Sequence, residues 1–374
     1  MTRLRVFAGS VCIIFLVSFI LIPFASADWM MFRSDPTHSG VEISNSALTS
    51  QVLWKYTTGG VVEASPAVVG GVVYIGSFDD GVYALNASSG HKLWSYTTGG
   101  AVFSSPSVVG GIVYIGSDDG KTYALNATGG TRLWSYSTGS NFESSPSVVD
   151  GVVYIGSGDG NVYALNAASG TKLWNYTTGG PVFSSPSVVD GVVYIGGGDG
   201  NVYALNAASG TKLWSFATGG YIESSTAVAG NVIYIGSFNY KFYALNATGG
   251  TKLWSYTTGS YVESSPAVAG GVVCIGSDDK NVYALNATDG AKLWLYDTHG
   301  VVQSAPAIVD GIVYVCGGNN IYALGGSPRT SSALFIIIGV VAALVAIAII
   351  VFLIIRKRLK IKLKSQLSPA LLPA

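Results

Sequence analysis

The sequence predicts an all-β protein: a seven-bladed β-propeller of four-stranded antiparallel blades, its N-terminal strand closing the last blade, plus one C-terminal transmembrane helix. Three observations carry this. Trp54, Trp94, Trp134, Trp174, Trp214, Trp254 and Trp294 recur at a constant interval of 40 residues. Self-similarity at that period marks stacked supersecondary units, and the four-stranded blade is the unit of that length. The stretch from Ser144 to Trp174 returns from Ser184 to Trp214 with Ser157 against Gly197 as the single difference. Composition agrees: 49 Gly, 22 Tyr, 8 Trp and only 11% charged residues, with short Val-rich runs, describe strands joined by tight turns.

Taken in order, residues 1–27 read as a secretory signal. Arg3 and Arg5 form a basic start, Val11 to Phe24 an apolar core, and Ala25-Ser26-Ala27 a small-residue cleavage site. An uncleaved N-terminal anchor is the alternative, because the apolar run is long. Residues 28–50 are a polar, irregular lead-in, and residues 51–324 are the repeat array.

Each repeat reads as four strands. In the third copy these are Ser145 to Val149, Val152 to Ser157, Val162 to Ala167 and Lys172 to Thr178. The joints Asp150-Gly151, Gly158-Asp159-Gly160, Ser169-Gly170 and Gly179-Gly180 supply residues that tolerate the positive φ of tight hairpins. Connections this short leave no room for crossover helices. The first three strands occur seven times. The Trp-bearing fourth strand also occurs seven times, but its first copy, Val52 to Thr58, precedes any complete unit, and the last unit stops at Ile321 to Gly326. Pairing Val52 to Thr58 with Ile321 to Leu324 would close a ring and remove two exposed edges.

A Gly/Ser/Pro linker, residues 325–332, leads to Ala333 to Ile355, 23 residues without a charge. At about 1.5 Å per residue this spans the roughly 30 Å of a bilayer's hydrocarbon, so it reads as a transmembrane helix. The tail 356–374 opens with RKRLKIKLK. Basic flanks stay cytoplasmic, which places the array on the extracytoplasmic side of a cell membrane.

The formal net charge of zero conceals a segregation. All 20 acids lie between Asp28 and Asp310, against eleven bases in the same region, a net charge of −9. Such a domain repels phosphate backbones, which argues against nucleic acid as a partner. The cysteines are Cys12, Cys274 and Cys316. The last two read as buried thiols acting as small hydrophobes, and their matching strand parity argues against a disulfide between them. No metal-ligand spacing involves them, and His38, His91 and His299 are scattered.

The repeat GNVYALNAASGTKLW, with SSPSVVDGVVYIGSGDG before it, resembles the PQQ-like (BamB-like) β-propeller repeat. The resemblance spans the array, and the lead-in Asp28 to Arg33 followed by Asp35-Pro36 is similar to the segment before the first blade of secreted members. It implies that each repeated Trp docks on a neighbouring blade near a turn glycine, here Trp94 with Gly90 and its equivalents. The family's quinoprotein enzymes imply an eight-bladed disc holding PQQ over calcium, with a catalytic Asp and a disulfide between adjacent cysteines. This chain has seven copies and no Cys-Cys pair, so PQQ is set aside and no catalytic residue is assigned.

Copies this alike keep their scaffold constant, so function is sought where they differ. Just before each SSP-like motif stand Glu63, Phe103, Glu143, Phe183, Glu223, Glu263 and Gln303. The following strand is expected to be innermost, which puts this position on the rim of the central channel. Glu63, Glu143, Glu223 and Glu263 are candidate ligands for calcium or a cationic group; a solvated acidic rim without a ligand is the alternative. Asp79, Asp119, Asp159, Asp199 and Asp279 read as turn formers. Asn86, Asn126, Asn175, Asn246 and Asn286 open glycosylation sequons, although Asn166 and Asn206 hold the same turn as four of them without a sequon. The functional expectation is a non-catalytic binding or assembly scaffold for protein, peptide or glycan partners. The alternatives are a quinone- or metal-dependent redox enzyme at the central funnel, or a structural cell-surface module.

Overall fold

The computed structural model describes residues 35, 41–42, 54–309, 312–318 and 320–324. They form seven four-stranded sheets. Six are simple antiparallel meanders; the third runs Ser147–Val149, Val152–Gly156, Asn161–Asn166 and Lys172–Thr177 in spatial as well as chain order. Asp150 and Gly151 take φ of 50° and 76°, the paired positive values that a two-residue hairpin needs to match strand twist. The first strands of successive sheets lie beside one another, which makes them the inner edge and the Trp strands the outer one. The protein is a seven-bladed β-propeller.

Among the described residues adjacent blades share no backbone ladder, only single backbone bonds such as Val182 N–H to Ser157 O at 3.0 Å, so side chains supply most of the joint, in three belts. Innermost, the second serine of each SSP motif accepts the N–H of its counterpart one blade earlier: Ser65 to Ser105, then Ser145, Ser185, Ser225 and Ser265, at 2.8–3.0 Å. The first serine accepts the N–H of the glycine that ends its own second strand, as Ser144 does from Gly156 at 3.0 Å. At mid-radius each Trp from Trp54 to Trp254 lies on the turn glycine of the blade that follows it. A Cβ on Gly210 would stand 2.6 Å from the Trp174 ring, and Trp174 Nε1 donates to Ala207 O at 2.9 Å. Tyr154 Oη donates to the same carbonyl at 3.2 Å. Nearer the loops that follow the second strands, Tyr176 meets Tyr203 with ring centroids 5.4 Å apart, and equivalent pairs recur from Tyr56–Tyr83 through Tyr296–Tyr322.

The Trp belt corrects one expectation: Trp94 packs on Gly130, and Gly90 receives Trp54. Each indole therefore reaches forward to the following blade's turn, because the outer strand's side chains lean across the junction rather than back over their own hairpin.

The seventh blade departs from the plan. Its sheet is Val41–Glu42, Ala307–Val309, Ile312–Gly317 and Asn320–Leu324, with Val41–Glu42 parallel to Ala307–Val309 at the inner edge. An N-terminal strand does complete this blade, but from the inside. Residues 54–58 carry no strand pairing, so the expected ladder to Ile321 to Leu324 is absent there. They nevertheless engage the first blade as the outer strands engage theirs, Trp54 donating to Ala87 O at 2.8 Å and Gly59 N–H to Asp79 Oδ2 at 2.6 Å. Val52 and Leu53 lie outside the described residues, as do the proposed signal, the linker and the proposed transmembrane segment 333–355. Among the described residues no helix is long and apolar enough to cross a membrane.

The seam between the seventh and first blades has a local cause. In six blades a glycine, Gly76 through Gly276, stands last or next to last in the second strand, and a Cβ there would come within 2.2–2.6 Å of the next blade's Val102, Phe142, Val182, Ile222, Val262 or Val302. Those six residues are fully buried. The seventh blade has Cys316 in that slot, and its counterpart Val62 is left 45% exposed. Cys316 is itself exposed, against the expectation of burial, while Cys274 is buried; both are free thiols.

Candidate binding face at the mouth of the propeller

The loop after each second strand and the segment leading into each blade meet at one end of the channel. The N–H two residues beyond the second-strand glycine, or beyond Cys316 in the seventh blade, donates to the lead-in carbonyl of its own blade: Phe78 to Val61, Asp118 to Ala101, Gly158 to Asn141, Gly198 to Pro181, Phe238 to Tyr221, Asp278 to Tyr261 and Gly318 to Val301, at 2.7–3.0 Å. This bond brings three variable positions together in every blade: the two just named and the expected Glu/Phe position two residues after the lead-in carbonyl. Sequence reasoning had found only the last. The other two were visible as variation, but nothing in the sequence says they face the same opening.

The mouth is chemically uneven around its circumference. Phe78 and Phe103 pack at 4.0 Å between the first and second blades. Between the fourth, fifth and sixth blades Tyr221, Phe238, Tyr261 and Tyr240 form a continuous aromatic run, with successive ring centroids 5.5, 4.8 and 5.2 Å apart. Tyr240 and Tyr261 are exposed, as are Val61 and Val301. Tyr240 is held out at φ 68°. Carboxylates interleave with these rings. Asn141 Nδ2 donates to Glu143 Oε1 at 2.8 Å; Asp118 Oδ1 and Asp278 Oδ1 are buried and have no hydrogen-bond partner among the described residues.

Electrostatics shows the acids to be one system. Burial, then Asp118, Glu223 and Glu63, raise the Glu143 carboxyl, against the Asn141 hydrogen bond. Burial and Asp278 raise Glu223. Burial, Asp278 and Glu223 push Glu263 up to about 7. Burial and the neighbouring Glu223 and Glu143 carry the Tyr221 phenol up to about 12. Glu63 sits at the expected place but is exposed. Carboxylates that raise one another in this way favour whatever neutralises them, a proton or a bound cationic group.

The other expected site residues have scaffold roles. Asp199 Oδ2 accepts from Tyr203 Oη at 2.5 Å and from Gly179 N–H of the previous blade's outer strand at 2.8 Å. Asp79, Asp119, Asp199 and Asp279 are turn residues, as expected, that also clamp the previous blade through the N–H of Gly59, Gly99, Gly179 and Gly259, whereas Asp159 bonds within its own turn. Burial alone would raise the Asp199 carboxyl, but the Tyr203, Asn201 and Gly179 hydrogen bonds outweigh it and hold it below its usual range. Asn86, Asn126, Asn246 and Asn286 each cap their turn through Oδ1, as Asn166 and Asn206 do. Asn175 lies on an outer strand, exposed, with Nδ2 donating to Asn161.

No group of three His, Cys, Asp or Glu among the described residues is placed to hold one metal ion. A quinone of the PQQ type is a polycarboxylate. None of the three mouth positions holds Lys or Arg in any copy, so the residues present do not fit it.

Fold and repeat together define a propeller of PQQ-type repeats, and the comparisons agree. Residues 36–231 match the family model described as the β-propeller of beta-alanine-activating enzyme, and residues 198–333 match that of outer membrane protein assembly factor BamB. The chain belongs to the PQQ-like β-propeller family. The comparison with curated proteins returns no match. Among solved structures, BamB from Moraxella catarrhalis is similar with a TM-score of 0.65 at 20% identity, covering 73% of this chain and 87% of its own. The quinohemoprotein alcohol dehydrogenase ADHIIG from Pseudomonas putida HK5 gives 0.59 at 18%, covering 79% and 76%. That from Comamonas testosteroni gives 0.58 at 17%, covering 79% and 77%. At these identities the likeness is one of fold.

Proposed function

We propose that this chain is a membrane-anchored, extracytoplasmic docking scaffold that holds a partner at the mouth of its propeller without catalysis, the partner presenting basic side chains. The observation that carries the reading is the convergence of the three variable positions on one face, where exposed aromatic and aliphatic side chains alternate with mutually repelling carboxylates. A guanidinium or ammonium group would gain from both, through charge-assisted hydrogen bonds and contact with π faces. A protein or peptide segment can supply that group beside apolar ones; a neutral glycan would leave the carboxylates uncompensated. The SSP serines spend their hydroxyls on the scaffold, which supports a binding role over nucleophilic chemistry. One family model is named for an outer membrane protein assembly factor, and protein partners suit that likeness.

The test uses the full chain in lipid nanodiscs and a fluorescent peptide with alternating Arg and Tyr, against a peptide with Glu in place of Arg. The Arg peptide should bind, and the Glu223→Gln/Glu263→Gln double variant should weaken it at least tenfold with a melting temperature no lower than that of wild type. Equal binding of both peptides, or full binding to the double variant, would refute the reading.

A further inference from the structure

The outer strand of the sixth blade differs from its five predecessors in every feature that buries an indole. Earlier blades place Tyr74, Tyr114, Tyr154, Tyr194 and Tyr234 beside the Trp; the sixth has Cys274 at that position. Earlier Trp residues reach an Asn-Ala-x-x-Gly turn in the next blade, whereas Leu324 is followed by Gly325-Gly326-Ser327-Pro328-Arg329. The residue after the Trp is polar in the first five, Ser95, Ser135, Asn175, Ser215 and Ser255, and Leu295 in the sixth. The strand Lys292–Asp297 is exposed along its whole length. Trp294 is 37% exposed, against 9% for Trp174.

Position matters as much as composition. The strand Asn320–Leu324 starts at the mouth and ends at the opposite face, where the Asn-Ala turns of the other blades lie. Trp294 sits at that same end of its own strand. Eight residues, 325–332, with a reach of at most about 28 Å, then join Leu324 to the uncharged run that begins at Ala333.

We infer that Leu293, Trp294 and Leu295 form the propeller's contact with the lipid surface, with the mouth turned away from it. The inference rests on the membrane-anchoring part of the proposed function. Leu beside Trp is a mixture that settles at a bilayer's headgroup level, the indole placing its apolar body inward and its N–H outward. A tether this short keeps the patch at high local concentration against the bilayer, which favours lipid over a second copy that must diffuse to it. A contact there would also leave the mouth open to partners in solution.

The test places an environment-sensitive fluorophore at Leu295→Cys or, as the reference in the third blade, at Leu173→Cys. Both are made in the full chain carrying Cys12→Ser and Cys316→Ser; the remaining Cys274 is buried. The chain is reconstituted in vesicles whose lipids carry a nitroxide at the headgroup or high on the acyl chain. Quenching at position 295 should exceed that at 173 severalfold and should fall at least twofold when Trp294→Ser is added. Equal quenching at the two positions in a chain that co-floats with vesicles would overturn the lipid contact alone. A chain that fails to co-float would remove the anchoring reading and the contact with it. Energy transfer between labels at 295 without lipid quenching would assign the patch to a second copy and also overturn it.

Discussion

Replacing Trp174 by alanine tests how the ring is held together, and the protein carries its own control. The indole is 9% exposed, sits in a cluster with Tyr154, Val182, Leu205 and Ala207, and lies flat on Gly210. Hiding most of its 150–250 Å² is worth an upper bound of about 4–6 kcal/mol. Truncation also takes one of two donors from the Ala207 carbonyl, which keeps Tyr154, so the orphaned-acceptor penalty is small. The expected cost is about 3–5 kcal/mol, or roughly 6–12 °C in melting temperature for a unit of this size. Trp294→Ala removes the same side chain from the same strand position, but one 37% exposed and without the Tyr neighbour. It should cost less than about 1.5 kcal/mol. Scanning calorimetry of the two variants and wild type in detergent avoids the loss of a fluorophore. Equal shifts, or a negligible one for Trp174→Ala, would refute indole docking as the main joint between blades.

Two further outcomes follow from the same geometry. Gly210→Ala should destabilise by about 2–4 kcal/mol in urea unfolding, because the new methyl meets the Trp174 ring and the residue stands at φ 71°; a cost below about 1 kcal/mol would mean the turn can shift freely. Glu263 is a carboxyl whose folded pKa is raised to about 7 by burial, Asp278 and Glu223, so its stabilising contribution is complete below the unfolded value and is lost as pH rises through 7. The full shift would be worth about 3 kcal/mol, and solvent access at the mouth reduces it to about 1–2. Glu263→Gln should therefore flatten the decline in stability between pH 5 and 8; a variant that declines as steeply as wild type would show the acids to be independent.

Blade number, strand order and the identity of the rim glutamates were legible in the sequence because each is a local fact repeated. A hairpin's turn chemistry and a strand's alternation are complete within 40 residues, and near-identical copies must fold alike. The forward reach of Trp94 to Gly130 was not legible, since every copy offers a chemically identical glycine before and after the indole. Nor was the inside closure of the seventh blade by Val41–Glu42, two residues with no repeat pattern to announce them. The exposure of Cys316 follows from a CH2–SH side chain entering a slot sized for glycine, a clash that exists only between blades.

The sequence by itself determined that this protein is a ring of β-sheets with variable acidic and aromatic positions. Only the tertiary structure decided that three of those positions share one mouth, that the two SSP serines belong to the scaffold, and that the sixth blade's indole is left uncovered. The physical reason is range: turn and strand preferences act over a few residues, whereas a binding face is assembled by contacts between blades, which no single repeat encodes.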